Sequence, residues 1–405
     1  MHCVISLKGS QITTLQKKDI MKIGILTLPL HTNYGGILQA YALQEVLRRL
    51  GHEVNVINKD RTPERYSFYQ NFKINVYQLL SHVVRGKRYT FRDLNKIESE
   101  NSKSFYYKTQ NTRKFIEKYI KTIDVHSYSK DIQKSSFDAI IVGSDQIWSQ
   151  KHGGCIDGSV VNAYLPFLSN KYLRFSYAAS FGNDYWEYNA LRTWYARKAI
   201  KKFKCVSVRE QSGIELCRKN LHIQAVQHID PTMLLTKEDY LSLVHYDKFN
   251  NSTKKLLVYF LDETESKMDI VDYLEKKLFL TRNIVNSKAE DLNAKQLNLC
   301  ECIQPPVENW LAGFEDSDFV VTDSFHACVF SILFHKPFFV IGNKARGMAR
   351  FTSLLGQFGL SDRLITNIHD IETGYLSYDI DFAPVDDLLR IERERSISYL
   401  QNCLK

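Results

Sequence analysis

Asp323, Ser324 and His326 stand in the run VVTDSFHACVFSIL, where an apolar strand pattern gives way to an apolar helix. At such a junction the first backbone N–H groups and the helix dipole favour an anion. A histidine in that first turn either faces a ligand cleft, as an acid or phosphate ligand, or is a core histidine satisfied by backbone. The motif VGSDQIW places Ser144, Asp145 and Gln146 after another apolar run. A carboxylate there can act as general base toward a hydroxyl or simply cap a turn. Arg209 ends the run VSVRE. A guanidinium at the end of a buried strand needs an anion or a carboxylate, and Glu210 is the carboxylate at hand. The turn HTNYGG supplies Asn33, Tyr34, Gly35 and Gly36, whose glycines allow close backbone approach to a ligand or serve plain turn chemistry. Further on, NKARGMARF carries Lys344, Arg346 and Arg350, a basic loop able to close over phosphate or to remain solvated charge.

The elements that must carry these residues read as α/β. From Met21, KIGILTLPL is a buried strand, ILQAYALQEVLRRLG an amphipathic helix closed by glycine, and HEVNVINK a second strand, together a βαβ unit. Residues 1–20 are polar and weakly patterned, which predicts a dispensable N-terminal extension. A first Rossmann-like domain is expected over 21–240, interrupted at about 60–132 by aromatic and basic helical pieces that would cover the acceptor side of the cleft. The polar stretch HYDKFNNSTKK then leads into a second β-first domain over about 250–380. A final amphipathic helix, 381–405, is placed to cross back and brace the first domain. Two such domains would face each other across a cleft, with all the singled-out residues at strand or helix ends along it.

Bulk composition narrows the partners. With 44% hydrophobic and 24% charged residues over 405 positions, the chain is globular, and its net charge of +9 favours anions. Phosphorylated small molecules, acidic glycans and anionic headgroups fit. Nucleic acid does not, because no zinc finger, RNP pattern or basic arm with a recognition helix is present. The eight cysteines are scattered in mostly apolar surroundings and read as free thiols in a reducing compartment. Cys300 and Cys302 lack a second ligand pair, so no metal site is expected. No apolar run is long enough to span a bilayer and no compact apolar leader opens the chain, so a cytoplasmic protein is expected. The mixture of Tyr, Phe, Lys and Arg at 60–132 adds peripheral contact with the inner face of a membrane.

Taken in order, NYGGILQAYAL, VGSDQIW, VSVRE, DPT, TDSFH and RGMARF resemble the polysaccharide pyruvyl transferase family over nearly the whole chain from Met21. The resemblance implies a glycosyltransferase-B-like fold and transfer of a pyruvyl group from phosphoenolpyruvate to a sugar as a ketal. The acceptor would be a saccharide or lipid-linked saccharide of exopolysaccharide or cell-envelope biosynthesis. Phosphoenolpyruvate is then a donor substrate and no cofactor is implied. Arg209 and His326 match the family's arginine and histidine that hold the donor. Many relatives carry an arginine two residues before that histidine, where this chain has Ser324, so donor charge must be met elsewhere, by Arg346 or Arg350. Ser324 would then join the donor site through the helix start, with Asp145 or Asp323 the base. Two rival readings share the pattern: a nucleotide-sugar glycosyltransferase on the same scaffold, and a non-catalytic binding protein of a glycan operon.

Overall fold

The computed structural model describes residues 20–59, 105–244, 254–285, 303–342, 347–373 and 377–405. Short β-branched runs make its strands, and those at the sheet centres are buried on both faces, as parallel strands under helices must be. In the first domain these are β1 (Lys22–Leu26), β2 (Glu53–Lys59), β3 (Thr122–Val125), β4 (Ala139–Val142) and β5 (Leu173–Ser176). They form one parallel sheet in the order β3-β2-β1-β4-β5, with Ile23 opposite both Val54 and Ala139. Helices α1 (Tyr34–Arg49), α2 (Gln110–Tyr119), α3 (Tyr128–Lys134), α4 (Ala190–Ile200) and α5 (Gln211–Leu216) complete it. A two-residue parallel pair, β6 (Ser207–Val208) and β7 (Val226–Gln227), continues the sheet's edge through a bridge from Ala179 to Val208.

One boundary needs correcting. The segment assigned to an insertion, 60–132, contains β3, an edge strand of the first sheet itself. Residues 60–104 of that segment and residues 1–19 lie outside the described residues.

Past α6 (Lys237–Leu241), opened by a capping box between Thr236 and Asp239, the pattern starts again. Strands β8 (Lys255–Tyr259), β9 (Thr281–Ile284), β10 (Phe319–Thr322), β11 (Phe338–Ile341) and β12 (Leu364–Ile365) form a second parallel sheet, ordered β12-β11-β10-β8-β9. Its helices are α7 (Glu265–Leu278), α8 (Val307–Glu315), α9 (Phe325–Leu333), α10 (Ala349–Gln357) and α11 (His369–Glu372).

The domains share an apolar seam. Tyr34 of α1 stacks on Trp310 of α8 at 5.4 Å, and Tyr240 of α6 meets Phe330 of α9 edge-on at 4.8 Å. Helix α12 (Ala383–Cys403) starts on the second domain, where Asp386 pairs with His335 at 2.8 Å, and ends on the first. There Arg393 donates to the carbonyls of Met233 and Leu235, Arg395 to that of Gln227, and Tyr399 to that of Ser176. Cys403 is disulfide-bonded to Cys205, which corrects the expectation of free thiols for these two. Among the described residues no helix is long and apolar enough to cross a membrane.

Candidate active site

In each sheet the chain first builds outward on one side of a founding strand and then returns to its other side. The turning points are the β1/β4 and β8/β10 neighbours. A crevice opens beyond the carboxyl ends of such pairs. The loops there are 27–33, 143–146, 260–262 and 323–324, so both domains bring their singled-out motifs to facing edges.

Asp230 is the hub of that edge. It follows β7, fully buried, and its side chain caps the Pro231–Leu234 turn by accepting from Thr232 N (3.0 Å) and Thr232 Oγ1 (2.7 Å). Its other oxygen accepts from Arg209 Nη1 at 2.7 Å and lies 3.6 Å from His326 Nε2. Burial alone would raise this carboxyl, but His326 and Arg209 outweigh it and hold the group well below the usual carboxylate range. Asp230 is therefore ionised. The DPT motif by itself gives this aspartate no role, because its partners lie far away in the chain.

Arg209 reaches the hub from the end of β6. Burial works against its charge, but Glu210, Asp230 and Asp145 more than offset that and raise its affinity for the proton. The expected partner Glu210 is thus one of three, with Asp230 the nearest at 2.7 Å, Glu210 at 3.4 Å and Asp145 at 3.7 Å. The guanidinium also stacks over the ring of Phe325, in the opposite domain, 4.3 Å from its centroid. Its Nη2 nevertheless has no hydrogen-bond partner.

His326 occupies the first turn of α9 and is buried against the start of α1. A Cβ built on Gly35 would fall 2.0 Å from His326 Nδ1, so only glycine lets the two helix starts meet here. Asn33 caps α1 by accepting from Gly36 N at 3.2 Å, and Ser324 caps α9 by accepting from Ala327 N at 3.4 Å. His326 Nε2, like Arg209 Nη2, is buried without a hydrogen-bond partner. Two opposed helix starts therefore converge on the histidine, a setting suited to an anion.

Beside them Gly143 takes φ +125, and a Cβ there would strike the Tyr177 carbonyl oxygen at 2.2 Å, so the chain can turn sharply out of β4 only at glycine. Ser144 donates to the Ala178 carbonyl at 2.8 Å and lies 3.4 Å from Asp230. Asp145 adopts a left-handed φ of 53, and its carboxyl has Arg209 as its charged neighbour. Gln146, oriented to donate to His152 Nε2 at 2.9 Å, accepts from Arg350 Nη2 at 2.9 Å. Arg350, in α10, also lies 5.7 Å from the Phe325 ring centroid, so both domains' arginines frame one aromatic ring.

Two expectations are corrected here. Asp323 faces away from this group: it accepts from Leu261 N (2.6 Å), Asp262 N (3.1 Å) and buried Lys267 Nζ (2.6 Å), which ties β10 to the end of β8 and leaves it unfit as a base. Tyr34 is fully buried in the seam, its hydroxyl donating to the Pro305 carbonyl at 2.7 Å, so it packs the domains together and does not line a ligand surface. Arg346 and Lys344 lie outside the described residues. Arg209, Asp230, His326, Ser144, Asp145 and Gly35 are the residues brought together.

A family model described as polysaccharide pyruvyl transferase matches residues 33–345 of the chain. No curated protein matches it. Among solved structures, one from Listeria monocytogenes, described as a UDP-N-acetylglucosamine 2-epimerase, aligns over 95% of this chain and 96% of its own at TM-score 0.51 and 9% identity. S. aureus MnaA, in a co-structure with UDP, covers 95% of this chain and 98% of its own at TM-score 0.49 and 14% identity. The glycotransferase of kitacinnamycin covers 96% and 100% at TM-score 0.44 and 12% identity. At such identities the likeness concerns fold alone: two Rossmann-like domains facing a cleft, glycosyltransferase-B-like.

Proposed function

Because the chain belongs to the polysaccharide pyruvyl transferase family, we propose that it moves the pyruvyl group of phosphoenolpyruvate onto two hydroxyls of one sugar in a cell-surface or exopolysaccharide precursor, closing a ketal. The observation that supports this reading most is the pair of buried nitrogens, Arg209 Nη2 and His326 Nε2, that no protein group hydrogen-bonds although each lies within 4 Å of a carboxyl. A buried polar atom left unmade costs about 1–3 kcal/mol. A ligand with both a carboxylate and a phosphate offers acceptors for two such groups.

In this reading His326 gives a proton to the methylene carbon of phosphoenolpyruvate, the C=C electron pair forming the new C–H bond. A sugar oxygen bonds to the cationic carbon next to it and passes its proton to Asp145. The bond from that carbon to the phosphate oxygen breaks, and phosphate leaves with the electron pair. The second hydroxyl closes the ketal, its proton going to the departing phosphate. Asp145 returns its proton through solvent to His326. Nothing is oxidised or reduced, so the reaction calls for no redox cofactor. Asp230 touches no substrate here; it holds Arg209 and His326 in place. Ser324, at the start of α9, and Arg350 complete the donor's surroundings.

Titration calorimetry with phosphoenolpyruvate and, separately, with nucleotide sugars tests the donor. Arg209→Ala and His326→Ala should each weaken phosphoenolpyruvate binding by about tenfold or more, the worth of a charge-assisted hydrogen bond. Heat with a nucleotide sugar and none with phosphoenolpyruvate would sink the reading in favour of a glycosyltransferase. A product carrying the pyruvyl mass on a lipid-linked sugar, seen by mass spectrometry, is the result expected.

A further inference from the structure

Helix α4 and the chain just after it expose one stripe: Leu191, Trp194, Tyr195, Lys198, Lys201, Lys202 and Lys204. Leu191 is 64% exposed, Trp194 46% and Tyr195 48%, while Ala196, Ala199 and Ile200 on the opposite side enter the first domain's core. Leu191, Trp194, Tyr195 and Lys198, three and four residues apart, share one helix face, and Lys201, Lys202 and Lys204 follow beyond the helix end. Residues 190–204 carry six Lys or Arg and no Asp or Glu. Arg197 is tied to the Asn220 carbonyl and Arg192 to Gln150, so the lysines are the charges left facing outward. Lys198 Nζ sits 3.7 Å from the centroid of the Trp194 ring, and Tyr195 packs edge-on to that ring at 4.8 Å, which makes a continuous aromatic surface with a basic border.

Scattered exposed apolar side chains need no explanation, whereas a contiguous group with a polar rim marks a docking surface. Charge complementarity selects the occupant. Protein interfaces are depleted in lysine, and four outward lysines beside Trp, Tyr and Leu match an anionic bilayer, where aromatic rings sit at headgroup level and lysines meet lipid phosphates.

We propose that this stripe docks the protein on an anionic lipid surface. The surface is independent of the donor assignments above.

Sedimentation of the full chain with vesicles of phosphatidylcholine, with and without phosphatidylglycerol, tests it. Binding should require phosphatidylglycerol and weaken with salt. Lys198→Ser combined with Lys201→Ser should lower partition about 25-fold, at about fivefold per lysine, and Trp194→Ser should lower it too. Melting temperatures should stay at the parent value, since these side chains are exposed. Equal binding to both vesicle types, no binding to either, or unchanged partition of the variants would overturn the proposal. So would a concentration-dependent dimer that Trp194→Ser abolishes, which would make the stripe a contact between copies of the chain.

Discussion

Replacing Gly35 by alanine should damage the site far more than the same change one residue later. An added Cβ at Gly35 falls 2.0 Å from Nδ1, 2.1 Å from Cγ and 2.7 Å from Cβ of His326. The buried ring would have to retreat by roughly 1.5 Å to reach a normal non-bonded separation of about 3.5 Å. It cannot do so alone, because Asp230 is 3.6 Å from its Nε2 and Phe325 flanks it at 5.3 Å between ring centroids. Overpacking of this kind costs about 1–3 kcal/mol, only partly offset by the ~0.5–1 kcal/mol that alanine gains over glycine in a helix. At Gly36 the nearest atom to an added Cβ is Asn33 Nδ2 at 3.4 Å, ordinary contact, so there the helix gain stands alone. Melting curves and phosphoenolpyruvate calorimetry on both variants should therefore diverge: Gly36→Ala near or slightly above the parent in stability and unchanged in affinity, Gly35→Ala lower in affinity by about five- to a hundredfold. Equal behaviour of the two would refute the claim that the start of α1 positions His326.

Three further outcomes are expected. Asp145→Asn should melt like the parent yet lose turnover by about a hundredfold or more, as removal of a general base does; full activity would remove Asp145 from the mechanism. Asp323→Asn should do the reverse, lowering stability by about 3–5 kcal/mol through a stranded buried Lys267 while the surviving folded enzyme keeps its KM, and a KM change without destabilisation would contradict the anchoring role. His228, buried beneath Tyr177 and Tyr399 and bonded to Ser207 Oγ at 2.9 Å, is pushed down to about 3 by burial and by the charge of Arg395. Unfolded chains take up a proton at this histidine near pH 6.5 and the folded protein does not, so stability should fall as pH drops from about 6.5 toward 3, by roughly 4–5 kcal/mol at full extent. Urea unfolding at pH 7 and pH 4.5 should show this slope flattened in His228→Gln; an unchanged slope would disprove it.

Motifs at strand ends were legible because the same short run carries both the apolar strand and the small polar turn. HTNYGG, VGSDQIW and TDSFH each do so, and each arrives at a turning point of its sheet. What stayed hidden depended on partners remote in sequence. Asp230 acquires its meaning from Arg209, 21 residues earlier, and from His326 in the other domain. Asp323 looked like its neighbours until Lys267 and two backbone N–H groups of the β8 loop claimed it. The strand Thr122–Val125 escaped notice because only Val125 is buried, so it shows neither an apolar run nor strict alternation. Tyr34 sits inside a glycine-rich turn that reads as ligand chemistry, and only the stacked Trp310 reveals a packing duty.

Helix α12 has a consequence for biosynthesis. The strand β5 and the turn after β7 are held by Tyr399, Arg393 and Arg395, residues 158 to 223 positions further along the chain. On a ribosome adding about 5–20 residues each second, the first domain would emerge long before the helix that closes its edge. For those seconds its carbonyls at Ser176, Gln227, Met233 and Leu235 would face solvent, and the nascent chain would offer its surface to chaperones and proteases. A polypeptide interrupted before Arg393 would keep the strands of both sheets yet lack their common strap, a form that quality control could recognise by its loosened first domain.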